Sequence, residues 1–193
     1  RSAEGQEIVR RLVASADVVI ENFKLGGLKK YGLDYESLKA INPKLVYCSI
    51  TGFGQSGPYA KRAGYDFVIQ GMSGLMDITG EPAGAPQKTG VAFADIFTGL
   101  YSVIAIQAAL AQRGITGQGQ HIDMALLDCM VGVLANQGLN FLVSGEIPKR
   151  LGNAHPNIAP YGETLTCAYG GQIVLAVGSN VQFENLCKTL GTT

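Results

Sequence analysis

"SADVVIENFKLGGLKKYGLDYESLKAINPKLVYCSI", residues 15–50, holds two strand-like runs with a helical pattern between them. "DVVI" (17–20) is β-branched and apolar, and "LVYCSI" (45–50) is β-branched and aromatic, as strands require. Between them "DYESLKAIN" has helical spacing, with Asp34 as the expected cap, and Asn42-Pro43 ends it. A further amphipathic helix over Glu4–Ser15 precedes the first strand. This αβαβ alternation predicts a parallel sheet with helices on its faces. In such sheets ligands sit beyond the carboxyl ends of the strands. Two loops therefore matter: "ENFKLGGLKKYG" after Ile20 and "TGFGQSGPYAKRAGYD" after Ile50.

Outward from this stretch the pattern continues. "VAFADIFTGLYSVIAIQAAL" (91–110) predicts a buried helix over about Ile96–Gln112, with Asp95 at its N-cap. "TGQGQ" reads as a turn, "HIDMALL" as a strand, and Asp128–Val143 as one helix. "SGEIPKRLGNAHPNIAPYG" is a Pro/Gly/Asn-rich linker, which places a domain boundary within 144–160. Then "ETLTCAY" and "QIVLAVG" form a hairpin about Gly170-Gly171, and a last helix runs from Ser179 or Asn180 to Gly191. The expected units are 1–150, a large α/β domain, and 151–193, the start of a smaller one. The chain opens without Met inside a helix and stops as another ends, so it reads as a piece of a longer protein.

Composition excludes several functions. Fifteen Lys and Arg balance fifteen Asp and Glu, whereas a nucleic-acid binder needs a basic stripe. An uninterrupted run of about 18 apolar residues is missing, which predicts no membrane span. Cys48, Cys129, Cys167 and Cys187 lie outside C-x-x-C spacing and only His121 and His155 accompany them, so no metal site is expected. Free cysteines fit a reducing compartment, the cytoplasm or, in a eukaryote, the mitochondrial matrix.

"GFGQSG" (52–57) matches G-x-G-x-x-G. A dinucleotide fingerprint needs a helix opening at the third glycine. Pro58 and a polar stretch follow instead, so it reads as a strand-end loop. Lys24, Lys29 and Lys30 surround Gly26-Gly27 at a strand's carboxyl end, either as a solvated loop or as a receptor for a phosphorylated ligand. Tyr65 and Asp66 follow Lys61-Arg62, with Asp66 as a first-turn acid. His155, between Asn153 and Asn157, reads as a loop imidazole.

Taken together, "VVIENFKLGGLKKYGLDYESLKAINPKLVYCSITGFGQSGP", "RAGYDFVIQGMSGLMDITGEP", "GVAFADIFTGLYSVIAIQAAL" and "TGQGQHIDMALLD" resemble, in order and spacing, the family III CoA-transferases. This is the CaiB/BaiF-like group of formyl-CoA:oxalate and carnitine CoA-transferases. The resemblance implies a Rossmann-like α/β domain, a smaller α+β domain, and an interlocked homodimer. It implies that Asp95 is the nucleophile, forming an aspartyl anhydride and then an aspartyl–CoA thioester. It places Asn22 and Phe23 along the CoA path, and Lys24 and Lys30 toward the CoA phosphates. Tyr65 and Asp66 fall beside the reacting carbonyl, and Arg62 joins the CoA-binding residues. The implied partners are an acyl-CoA and a small carboxylic acid, with CoA as substrate and no permanently bound cofactor. The family's adenine-binding amino-terminal segment is not in this sequence, and "GNAHPNIAPYG" stands in the region of its glycine-rich loop. An α-methylacyl-CoA racemase is the alternative. Those relatives carry His where this chain has Tyr65, and a tyrosine of ordinary pKa is a poor base at neutral pH. A non-catalytic CoA- or nucleotide-binding domain is the third reading.

Overall fold

The computed structural model describes residues 2–159 and 161–192. Two compact units divide the chain. The first comprises 1–75 with 88–135, and the second 76–87 with 136–193.

In the first unit, α1 (Ala3–Val13) begins at Ser2, whose hydroxyl accepts the Gly5 N–H at 3.2 Å. β1 (Val18–Glu21) leads through a short 3₁₀ turn to α2 (Tyr35–Ile41), and β2 (Val46–Thr51) returns. α3 (Asp66–Met72) and α4 (Phe93–Thr116) precede β3 (His121–Ala125), which runs directly into α5 (Leu126–Val133). The strands order β1-β2-β3, all parallel, with Val18 opposite Val46 and Tyr47 opposite His121. The expected parallel α/β sheet is present.

β2 shows why the sheet is covered on both faces. Side chains alternate along a strand. Tyr47 packs with Val13, Leu38 and Leu45 under α1 and α2, while Val46 and Cys48 pack with Ile106 and Ala109 of α4. The central strand is thus buried twice, which explains its apolar run over 45–48. Tyr47 keeps its hydroxyl satisfied by donating to the Leu33 carbonyl at 2.9 Å.

Three local expectations change. α4 starts at Phe93, not Ile96, so Asp95 lies inside the first turn and Ala92 is the cap residue. The Asp66 carboxylate supplies the missing cap from a distance, accepting the Ala94 N–H at 2.8 Å. α4 is also not buried all round. Ala94, Thr98, Ser102, Ile106 and Ala109 form its buried stripe, whereas Ile96, Leu100, Val103 and Ile104 are exposed. By length and composition alone α4 is apolar enough to cross a membrane. Thr, Ser, Gly and Gln interrupt its apolar run without lowering the average much. In this fold α4 packs on β2, β3 and α5. Finally, the helix expected over 128–143 is two. Ala135 takes φ +47°, a left-handed value that L-residues other than Gly adopt rarely. It separates α5 from α6 (Ala135–Ser144).

The second unit holds α6, the antiparallel hairpin β4 (Tyr161–Thr166) and β5 (Gln172–Ala176), and α7 (Asn180–Leu190). Ser179 caps α7 by accepting the Gln182 N–H, and Gly191 ends it at φ +68°. This unit takes in the chain from residue 136 onward. It includes 76–87 because Arg150 donates to the Asp77 and Gly84 carbonyls, at 2.6 and 3.0 Å.

Candidate functional site

The three parallel strands end on one side of the first unit, and a cleft of 440 Å³ opens there. Its walls come from the loop after β1, the end of β2, the loop 60–64, and the starts of α3, α4 and α5. This is where the fold class places ligands.

Seven of the residues singled out from sequence line it: Asn22, Phe23, Lys24, Arg62, Tyr65, Asp66 and Asp95. They are far apart in the chain and are united by strand ends and helix starts. Lys30 is not among them. It lies on the 3₁₀ turn with its ammonium 4.9 Å from the Tyr31 ring centre. Successive positions on so tight a turn point in different directions, and the sequence cluster of three lysines hides this. Lys29 faces a neighbouring hollow that Lys24 also lines.

The loop bearing Asn22 and Phe23 is held by Glu21, whose carboxylate accepts the Phe23 N–H at 2.8 Å. The Phe23 ring stays exposed. Gly27 closes the following turn onto the Lys24 carbonyl at 2.7 Å. Arg62 is pre-oriented, its guanidinium 4.2 Å from the Tyr59 ring centre. Stacking of this kind fixes the plane of the fork while leaving its N–H groups free for an anion.

Asp95 stands at the third position of α4 and faces the cleft. Burial pushes its carboxyl above the ordinary carboxylate value, and the charge of Asp66 adds to this. The helix amino terminus favours the anion in the opposite sense. Asp66 itself is fully engaged, accepting from Ala94 N–H at 2.8 Å and from the Gln70 amide at 2.7 Å. Tyr65 is exposed at the cleft mouth and is the cap residue of α3, though its side chain makes no capping bond.

Sequence reasoning missed three features. Gln70 is fully buried behind Asp66. Its position four residues on, on the same helix face, was the available signal. The Thr51 hydroxyl is buried at the β2 end without a hydrogen-bond partner among the described residues. Gly52 and Gly64 touch backbone to backbone, a contact between residues remote in sequence that no local pattern announces. The G-x-G-x-x-G run bends through 52–57 and passes into turns at 58–61 with no helix directly behind it, as its reading as a loop required.

Comparison with known proteins identifies the family. The family described as CoA-transferase family III matches residues 1–193. A succinate–glutarate CoA-transferase of Agrobacterium fabrum is 65% identical over 99% of this chain and 47% of its own length. The human succinyl-CoA:glutarate CoA-transferase is 44% identical over 98% of this chain and 43% of its own. Among solved structures, a CaiB/BaiF family protein from Brucella suis shares 72% identity with a TM-score of 0.88. That match covers 99% of this chain and 50% of the other. The chain thus spans about half the length of the relatives it matches. It belongs to the family III CoA-transferases.

Proposed function

We propose that the full-length protein moves CoA from an acyl-CoA to a small carboxylic acid, with Asp95 as nucleophile. Supporting this, the cleft at the strand ends is lined by Asp95 together with Tyr65, Asp66 and the Asn22–Lys24 loop. An Asp95 oxygen attacks the thioester carbonyl, the C–S bond breaks, and an anhydride and a CoA thiolate result. The thiolate attacks the aspartyl carbonyl, releasing the first acid and leaving a thioester on Asp95. The acceptor carboxylate then runs the two steps in reverse, returning Asp95 as a carboxylate. Each bond formed replaces one broken, and neither water nor a redox partner enters. Covalent catalysis divides one difficult transfer into easier ones. Of the α4 amides, that of Ala94 is committed to Asp66 and is not available to an oxyanion.

The relatives named for succinate and glutarate support a small dicarboxylic acid as the exchanged group. Lys24, Lys61 and Arg62 on the cleft wall bring positive charge to an anionic ligand. The exposed Ile96, Leu100, Val103 and Ile104 of α4 support a homodimer in which a second copy covers that face.

Mass spectrometry of the full-length protein with succinyl-CoA tests the reading. An anhydride or thioester adduct on the peptide containing Asp95 is expected, and turnover requires a free acid acceptor. In D₂O, a 2-methylacyl-CoA gains no deuterium at its α-carbon. Rapid α-deuteration without an acceptor would establish racemisation instead.

The lysines separate by the same logic. Lys24→Ala weakens CoA binding about fivefold, with a shallower salt dependence, as expected for an exposed charge pair. Lys30→Ala, outside the cleft, changes it less. Titration calorimetry at two salt concentrations reads both, and equal losses would place phosphate at Lys30 as well.

A further inference from the structure

Gln70 is a buried polar side chain in the middle of the site's support, 0% exposed. Its amide nitrogen donates to Asp66 Oδ2 at 2.7 Å and approaches the Val91 carbonyl at 3.4 Å. Its amide oxygen accepts from the Thr89 N–H at 3.0 Å and the Thr89 hydroxyl at 3.2 Å. Only one orientation of the amide satisfies all four, since carboxylate and carbonyl need a donor and the Thr89 N–H needs an acceptor. Gln70 therefore joins three things: the acid that caps α4, the strap 89–91 that enters α4, and the α3 backbone that carries it. The other oxygen of the same carboxylate, Asp66 Oδ1, holds Ala94, the residue before Asp95.

We propose that Gln70 is a positioning residue for Asp95: it locks the Asp66 carboxylate and the 89–91 strap so that the first turn of α4 presents Asp95 to the cleft. This rests on the reading of Asp95 as nucleophile. Gln70 is not among the residues that line the cleft. Its effect is transmitted through two hydrogen bonds to the backbone N–H next to the nucleophile. A fully satisfied buried network of this kind fixes one geometry, and a half-satisfied one does not. Removing the amide leaves Asp66 with a single protein donor and leaves the Thr89 N–H without its acceptor.

The test uses the full-length protein with Gln70→Met, which keeps the length and removes the polar ends. Misplacement of a nucleophile lowers kcat, here by about 30-fold. KM for succinyl-CoA stays within about twofold, because ground-state contacts are untouched. Amide exchange at Ala94 accelerates about tenfold, while Ile106 and Ala109 farther along α4 keep their rates. A merely structural role would lower the melting temperature without this split or this local exchange. Should Gln70→Met fail to fold, Thr89→Val removes one of Gln70's anchors and shifts kcat and Ala94 exchange in the same directions, by less. A folded variant with wild-type kcat, or with Ala94 exchanging at the wild-type rate, overturns the proposal. Failure of the wild-type protein to transfer CoA would instead overturn the proposed activity, and the exchange rates would still decide the positioning role.

Discussion

Asp95→Asn abolishes CoA transfer, lowering kcat by ~10⁴-fold or more, and leaves the fold as stable as before. The activity loss follows from chemistry. An amide oxygen is a far weaker nucleophile than a carboxylate and forms no anhydride, and losses of this order accompany removal of an acting nucleophile. Stability is spared because the helix keeps its cap. Asp95 is not the cap of α4, because Asp66 holds the Ala94 N–H in that role. The raised pKa means that folding disfavours the ionised form of Asp95, through burial first and the Asp66 charge second. A neutral Asn removes that cost while giving up a favourable helix-terminus interaction. The melting temperature is therefore equal to or above wild type. The same shift has a kinetic sign. The nucleophile must be ionised, so the acid limb of kcat/KM is shifted upward from that of an ordinary aspartate, and it moves down when Asp66→Asn removes the neighbouring charge. A pH–rate profile and a thermal melt check both halves. A folded Asp95→Asn protein with full turnover would remove Asp95 from the mechanism.

The second large effect is structural. Gly52→Ala destabilises the first unit by about 3 kcal/mol, at the upper end of overpacking costs. A methyl at Gly52 would lie 2.5 Å from Gly64 Cα and 2.7 Å from Gly64 N. Both atoms are backbone, so no rotamer change relieves the clash. The end of β2 and the loop before α3 must part, and both line the cleft. CoA binding falls together with the denaturant midpoint. Gly114→Ala is the control. It lies in α4 with open space about it, and replacing a helical glycine there stabilises by about 0.5–1 kcal/mol. Chemical unfolding of both variants reads the difference. A Gly52→Ala protein with an unchanged midpoint would show that the two backbones separate at little cost.

The parallel sheet was legible because its signals are local. β2 carries a β-branched and aromatic run, α2 is bounded by Asp34 and by Asn42-Pro43, and the hairpin turns at Gly170 with φ +83°. The cleft residues were legible one by one, from motif resemblance, and their common location followed from the strand-end rule. What escaped depends on contacts across the chain. Asp66 caps a helix 28 residues away, which no window over residues 91–96 reveals. Lys30 has the composition of a phosphate binder, yet it does not line the cleft that holds Asp95. Ala135 breaks a helix with no residue-type signal, since alanine is the best helix former. The exposed side of α4 was unreadable because a helix that is apolar all round looks the same whether its cover comes from its own fold or from elsewhere.

The segment 76–87 has a consequence for anyone dividing this chain. The backbone passes between the two units three times, after residues 75, 87 and 135. No single cut therefore yields a whole piece. A chain ended after residue 135 keeps Asp77, Gly80 and Gly84 but discards Arg150 and Gly152, the residues that hydrogen-bond to them. A chain begun at residue 136 has the opposite defect, with Arg150 deprived of the carbonyls it binds. Trimming to a minimal first unit means splicing Leu75 to Lys88 through a short linker, and supplying 76–87 to the second unit as an added peptide or by circular permutation.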